Sequence, residues 1–289
     1  MRKILLVAYK VVKSVLGGYG IGRFYPIRII HNFALKYIKS NFVIIQGHKM
    51  FLDAKDSLNL SIYESYEEYE TELVKKEVKK GDVVLDIGAN IGYYTLIFAK
   101  LVGESGKVFA FEPDPTNFNL LRRNVRNNGY NNVVLINKAV SEKSEKLKLF
   151  LSEDNLADHR IYDSQDGRKF IEIGSVRLDD YFKDYSGEIN FIKMDIEGAE
   201  YGAVQGMPDL IKKSRKIKVI SEFWPFGLKK FGVEPVEYLN RLLKYDFEIH
   251  NLNEKKKGLG LADAKELLKV YTVEKENHTN LLCIKKEDA

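Results

Sequence analysis

Between residues 82 and 222, short apolar runs alternate with stretches long enough for helices. Few folds accept that pattern. Val83–Ile87, Lys107–Phe111 and Val133–Ile136 read as near-continuous apolar strands, the signature of strands buried on both faces of a parallel sheet. The pattern predicts main strands over 82–87, 107–111, 132–137, 189–194, 218–222 and 247–250. Helices are predicted over 93–101, 116–127, 178–185, 199–205, 235–244 and 262–269, and further strands over 146–151, 170–176 and 280–285. Strand–helix alternation of this kind builds a doubly wound α/β sheet. With 45% hydrophobic and 30% charged residues, the chain of 289 can fill one large core, which excludes disordered and collagen-like classes. The single cysteine, Cys283, cannot form an internal disulfide.

Upstream, 41–46 and 49–53 read as a hairpin around Gly47-His48, and 63–80 as a charged helix closed by Gly81. The expected division is therefore a basic N-terminal helical segment with the hairpin (1–62) and an α/β domain (63–289). Residues 1–50 carry nine Lys/Arg and no acid, leaving 37 basic against 41 acidic residues in the remainder. Stepping ~100° per residue, Arg2, Lys3, Lys10 and Lys13 share one stripe of an apolar helix over 2–16 that Gly17-Gly18 ends. A second basic helix is predicted over 25–40. Such a stripe either lies on an anionic membrane surface or lipid-linked substrate, or covers the body or a partner. The run Ile4–Tyr9 is short for a secretory signal, and no stretch reaches ~18 apolar residues. The expected location is the cytoplasm, with membrane contact through the basic N-terminus on the cytoplasmic face. The charge run Glu254–Lys257 reads as a solvated turn.

In parallel sheets, ligands bind beyond the carboxyl ends of the strands. The first main strand ends in Asp86-Ile87-Gly88-Ala89-Asn90-Ile91-Gly92 and a helix follows. Gly88 permits a tight turn and Gly92 a close backbone approach. Asn90 stands where a dinucleotide fingerprint needs its second glycine, and no phosphate-binding Gly-Lys-Ser/Thr is present. An acid before a short glycine turn suits a ligand carrying both an amine and a carboxylate. The second strand ends in Phe111-Glu112-Pro113-Asp114, where Glu112 can accept both hydroxyls of a ribose. A nucleoside joined to an amino acid describes S-adenosylmethionine. The fourth strand ends in Asp195-Ile196-Glu197-Gly198-Ala199-Glu200, and Glu222 ends the fifth. Asp195, Glu197 and Glu222 thus form a set of oxygen ligands suited to Mg²⁺.

Asp86–Gly92, Phe111–Asp114 and Ile192–Glu200 together resemble the FkbM family of S-adenosylmethionine-dependent methyltransferases. The resemblance covers about 64–222 well, and residues 1–40 not at all. It implies a class I methyltransferase sheet, Rossmann-like and mostly parallel, with a reversed last strand at 280–285. Carried over by motif, Asp86, Gly88, Asn90 and Gly92 would hold the methionine end of the cofactor and Glu112 the ribose. Asp114 would border the adenine, Asn137 would be an adenine neighbour, and Asp195 would face the sulfonium and the acceptor.

An oxygen acceptor must lose a proton, and Asp195, Glu197 and His159 are the candidate bases. His159 lies in the polar stretch 154–160, placed to close over a cofactor. The expected reaction is O-methylation of a hydroxyl on a sugar, glycan, glycolipid or small metabolite. Nitrogen methylation of nucleic acid is the alternative, although Asp195 and Glu197 would meet a phosphate backbone with like charge. A non-catalytic, cofactor-shaped scaffold is a third reading, against which the intact motifs speak.

Overall fold

The computed structural model describes residues 40–63 and 65–286. The helices expected over 2–16 and 25–40 lie outside the described residues, apart from Ser40. Among the described residues no helix is long and apolar enough to cross a membrane.

The chain opens with the hairpin β1 (Phe42–Ile45) and β2 (His48–Phe51). Its two-residue turn is Gln46-Gly47, both at positive φ, one residue earlier than the sequence suggests. Helix α1 (Glu68–Glu77) leads to β3 (Val83–Ile87), α2 (Tyr93–Val102), β4 (Lys107–Phe111), α3 (Pro115–Asn127) and β5 (Val133–Ile136). A small sheet follows, from β6 (Ala139–Val140), β7 (Lys146–Phe150) and β8 (Phe170–Val176), then the short helix α4 (Leu178–Tyr181). The second half runs β9 (Phe191–Met194), α5 (Glu200–Gln205), α6 (Pro208–Lys213), β10 (Lys218–Phe223), α7 (Pro225–Phe231) and α8 (Pro235–Lys244). It ends with β11 (Phe247–Asn253), β12 (Gly258–Leu261), α9 (Ala264–Val270) and β13 (Thr279–Lys285).

Eight strands form the main sheet in the order β12-β11-β13-β10-β9-β3-β4-β5. Strands β10, β9, β3, β4 and β5 run parallel, while β13 is antiparallel to both β10 and β11. The reversed last strand is therefore present, inserted between β10 and β11. The chain winds outward from β3 through β4 to β5, then crosses back to β9 on the other side of β3. That crossing is the topological switch point, where a crevice opens at the strands' carboxyl ends.

Alternation along β3 feeds both faces. Leu85 and Ile87 join one apolar layer with Phe111, Ile192, Met194 and Phe223. Val84 joins the opposite layer with Phe98, Val108 and Ile220. Ile45, Met50, Leu52 and Leu60 lie in that second layer. Asn124 of α3 accepts from Phe51 N–H at 2.7 Å and donates to Phe51 O at 3.0 Å. Hairpin and α/β domain thus share one core across residue 62.

Four of the six prolines (115, 208, 225 and 235) open helices, where a missing N–H costs nothing and φ is preset. Two of those helices, α6 and α7, were not among the expected elements. The run 254–257 is a turn between β11 and β12, yet it is not merely solvated. Glu254 accepts from Tyr69 N–H at 2.8 Å and Glu70 N–H at 3.1 Å. It thus supplies the acidic cap that α1's own N-cap residue, Glu67, does not provide.

Candidate active site

Three loops meet beyond β3, β4 and β9. In the first, Gly88 takes φ 83° and Asn90 φ 50°. A Cβ on Gly88 would lie 2.0 Å from the carbonyl oxygen of Asp195, so only glycine lets the tips of β3 and β9 touch. Asn90 is one of the few side chains that tolerate the left-handed region. Its backbone N–H donates to Glu112 Oε2 at 2.8 Å, and Asp114 N–H donates to Oε1 at 2.8 Å. Each oxygen of this buried carboxylate therefore accepts one backbone N–H and keeps a second lone pair. Burial, with no cation beside it, pushes Glu112 up to about 8.

The fourth-strand motif explains itself in the third loop. Glu200 Oε1 accepts from Ile196 N–H (3.0 Å) and Gly198 N–H (3.3 Å), folding the loop back on its helix. Glu197 is held at φ 57° and Gly198 at φ 99°. A Cβ at 198 would meet the carbonyl carbon of Gly227 in α7 at 2.5 Å, and backbone cannot yield. Gly198→Ala is therefore expected to cost about 2–4 kcal/mol of stability, measured by urea unfolding. A variant as stable as wild type would remove this account of the glycine.

Two cavities flank this junction and share Gly88, Asn90, Ala157, Asp195 and Glu197 in their walls. The first, about 560 Å³, is also lined by Glu112, Asn117, Lys138 and apolar side chains such as Phe111, Val140 and Ile161. The second, about 500 Å³, holds Asp86, Lys193, Tyr66, Tyr93 and Tyr94. Asp86 and Lys193 pair directly across β3 and β9, which sets an anion beside a cation on one face of the sheet. Thr95 donates its hydroxyl to Asp86, and burial raises that carboxyl to about 6.

Lys193 is 1% exposed inside the run Phe191-Ile192-Lys193-Met194. Its Nζ lies 3.2 Å from Glu70 Oε1, 3.4 Å from Asp195 Oδ2 and 4.9 Å from the Tyr94 ring centroid. Burial alone would lower its pKa, but Glu70, Asp195 and Glu67 more than offset that and hold it well above the usual lysine range. Acids dominate around it. Burial and Glu70 push Glu67 up to about 8, and burial with the Asp195 charge raises Glu197 and Glu222 well above the carboxylate range.

A segment between β7 and β8 crosses the cleft. Leu156 N–H donates to Ser57 Oγ at 2.9 Å, Asn117 Nδ2 donates to Leu156 O at 2.8 Å, and Tyr162 donates its hydroxyl to Glu197 O at 2.7 Å. His159 lines the first cavity from this segment. Its Nδ1 accepts from Ser152 N–H at 3.0 Å, so the neutral ring carries its proton on Nε2. Burial lowers its pKa, so neutral is the expected form. The ring then has a donor to offer the cleft and no free lone pair, and a role as base does not follow from this geometry.

Other expected residues fall elsewhere. Asp114 lines neither cavity: its carboxylate accepts from Asn117 N–H at 2.7 Å as the N-cap of α3, and only its backbone serves Glu112. Asn137 donates to the carbonyls of Glu112 (2.8 Å) and Pro113 (3.0 Å), bracing the β4 loop from outside the cavity. Gly92 caps α2, and the space a Cβ would need is filled by Leu121 of α3 at 2.7 Å, so its smallness serves helix packing. Glu222 stands next to the Ser221–Met194 pair but lines neither cavity, and its Oε2 is sealed without a donor. Among the described residues no group of three His, Cys, Asp or Glu is placed to hold a metal ion. The placement of Asp195, Glu197 and Glu222 therefore gives the Mg²⁺ expectation no support, and of the three only Asp195 has the Lys193 ammonium within ion-pair distance, at 3.4 Å. Lys193, Glu70 and the tyrosines went unread as site residues, although a lysine within an apolar strand run signals a buried, partnered charge.

The raised carboxyls carry a pH signature. Asp86, Glu200 and Glu112 keep protons in the fold up to about 6, 7 and 8, chiefly because they are buried. Between about pH 4.5 and 8 the native state then binds protons that the unfolded chain has lost, so stability falls as pH rises. Ligand-free protein is expected to lose at least about 2 kcal/mol of unfolding free energy from pH 5 to pH 8. Stability that is flat or rises over that window would contradict the burial of these groups.

A mostly parallel sheet with a reversed last strand, a glycine turn after its central strand, an acid ending the next strand and carboxylates at the switch point define a class I methyltransferase domain. The methyltransferase FkbM domain family matches residues 86–249, more than half of the chain. The chain belongs to that family, whose domain is S-adenosylmethionine-dependent. Over 65 residues (22% of this chain, 33% of the relative) it is 46% identical to a protein named probable cobalt-precorrin-6B C(15)-methyltransferase (decarboxylating) of Saccharolobus solfataricus. Over 60 residues (21% and 30%) it is 37% identical to a protein-L-isoaspartate O-methyltransferase of Methanococcoides burtonii. The chain thus spans about a third of the length of these relatives. Among solved structures, an Aquifex aeolicus S-adenosylmethionine-dependent methyltransferase superposes with TM-score 0.44 at 16% identity, covering 81% of this chain and 100% of that one. A Thermotoga maritima O-methyltransferase gives TM-score 0.45 at 13% identity, covering 86% and 78%.

Proposed function

We propose that the protein transfers the methyl group of S-adenosylmethionine to a hydroxyl oxygen, on a sugar, glycan, glycolipid or other small metabolite. One observation carries this reading: Asp195 and Glu197 stand in the walls of both cavities, at the seam between the part that suits a nucleoside and the part that suits an amino acid. The residues fit the cofactor. Glu112 has lone pairs left for two ribose hydroxyls, and Asp86 and Lys193 offer opposite charges to an ammonium and a carboxylate.

When bound, S-adenosylmethionine supplies an activated methyl group on a sulfonium, so the chain's work is to position and to move one proton. Glu112 and the turn at Asn90 fix the adenosyl end. The segment carrying Leu156, Ala157 and Ile161 forms an apolar wall of the first cavity. Asp195 keeps a partly exposed carboxylate with Lys193 on one side, able to accept the acceptor's hydroxyl proton. The acidic surround disfavours phosphate-bearing acceptors, which speaks for a neutral hydroxyl compound over nucleic acid. Methyl-labelled S-adenosylmethionine offered with the protein to separate lipid, glycan, small-metabolite and RNA fractions is the test. Label in hydroxyl-bearing lipid, glycan or metabolite supports the reading. Label confined to RNA would end it.

A further inference from the structure

The fold brings together two stretches without acids that lie far apart in sequence. Residues 40–52 hold one lysine and no Asp or Glu; residues 115–141 hold three arginines, one lysine and no Asp or Glu. Strand β2 packs on α3: Lys49 N–H donates to Asn128 Oδ1 at 3.0 Å, and Phe51 N–H to Asn124 Oδ1 at 2.7 Å.

The hairpin's inner face, with Ile45, His48 and Met50, is buried. Its outer face carries Phe42, 42% exposed, and Ile44, 69% exposed. Phe42 pairs with Phe51 and Ile44 with Lys49. The Lys49 ammonium lies 4.6 Å from the Phe42 ring centroid, and the Arg123 guanidinium 3.5 Å from that of Phe51. Arg122, Arg123 and Arg126 then line a shallow groove along α3 with Asn119 and Asn127. The result is one continuous surface: an exposed aliphatic tip, two aromatic rings and a row of exposed cations.

From this juxtaposition we propose that the outer face of the hairpin and the arginine row of α3 dock the protein on an anionic lipid surface. Arginines meet headgroup phosphates, and Ile44 with Phe42 enters the boundary between headgroups and acyl chains. Nucleic acid would meet the same charges but fits the rest less well. The faces of Phe42 and Phe51 are taken by Lys49 and Arg123, which leaves little open ring for base stacking, and an aliphatic tip reads no base. The proposal is independent of the methyl-transfer reading. It places the membrane near the cleft all the same, because Asn117 on the first turn of the same helix lines the first cavity.

The test is co-sedimentation of the full chain with vesicles of phosphatidylcholine alone, or of phosphatidylcholine with phosphatidylglycerol. Wild type is expected to partition onto the anionic vesicles only. Arg122→Glu/Arg126→Glu should lower the partition coefficient at least about tenfold, since each basic side chain near such a surface counts several-fold. Ile44→Asp should weaken binding through the apolar contact, with thermal unfolding confirming that both variants are folded. If the double reversal does not fold, Arg122→Gln/Arg126→Gln is read in the same way. Both variants binding like wild type would overturn the proposal, since the basic residues upstream of 40 would then suffice. So would a wild type that ignores anionic vesicles while binding RNA.

Discussion

Glu112→Ala is expected to weaken S-adenosylmethionine binding by about 100-fold or more, read by calorimetry on the full chain. Above about pH 8, where Glu112 gives up its proton, hydrogen bonds to the charged acceptor contribute about 1.5–3 kcal/mol each, and the carboxylate is positioned for two ribose hydroxyls. Glutamine should not rescue it. Both Glu112 oxygens accept from backbone N–H groups, those of Asn90 and Asp114, so an amide would set its own N–H against one of them. Asp114→Ala is the informative contrast. It removes the N-cap of α3, at a cost of about 1 kcal/mol in stability, but leaves the backbone N–H that serves Glu112. Affinity close to wild type in that variant, with near-total loss at 112, is the expected pattern. Equal losses at both positions would mean that Glu112 acts through the loop and not on the ligand.

Lys193→Met is expected to lower the unfolding free energy by about 3–5 kcal/mol at neutral pH, the usual effect of stranding a buried charge by removing its partner. Methionine matches the shape, so the loss is electrostatic: Glu70 and Asp195 would face each other and Glu67 with no cation between them. The sign across pH follows. The lysine's folded pKa lies above the ordinary lysine value of about 10.4, so its contribution is fully present below that pH and fades only above it. In the variant, the surrounding acids should take up protons as pH falls, so its deficit against wild type should shrink towards pH 5. A variant as stable as wild type in urea at pH 7 would show that the acids hold their own protons and need no lysine.

Much of the fold was legible because buried parallel strands announce themselves. Val83–Ile87 and Phe191–Met194 must satisfy both faces of a sheet, and apolar runs do that. What stayed hidden depended on partners distant in sequence. Glu254 caps a helix that begins 186 residues earlier, at Glu68, and no local pattern shows that. Helices α6 and α7 are only six and seven residues long, and each opens on a proline, whose rigid φ both ends and begins helices, so no local pattern marked them. Glu112 and Asp86 were readable as acids lining the cleft because a strand end fixes where a side chain points. Asp114 shares the loop of Glu112 and Asn137 follows β5, yet their side chains turn to cap and brace, a choice made by local hydrogen bonds. Lys193 lay inside a motif that sequence reading prized for its acids, which hid the cation they surround.

The central claim is that acids at the tips of β3, β4 and β9 hold an adenosyl sulfonium compound across two joined cavities. A crystal structure with S-adenosylhomocysteine, the demethylated product, tests it most directly. Density should run from the cavity of Asn117 and Ile161, with both ribose hydroxyls on Glu112, past Asp195 to an amino-acid end between Asp86 and Lys193. Density placed elsewhere, or a cleft filled by the chain's own side chains at saturating ligand, would contradict it.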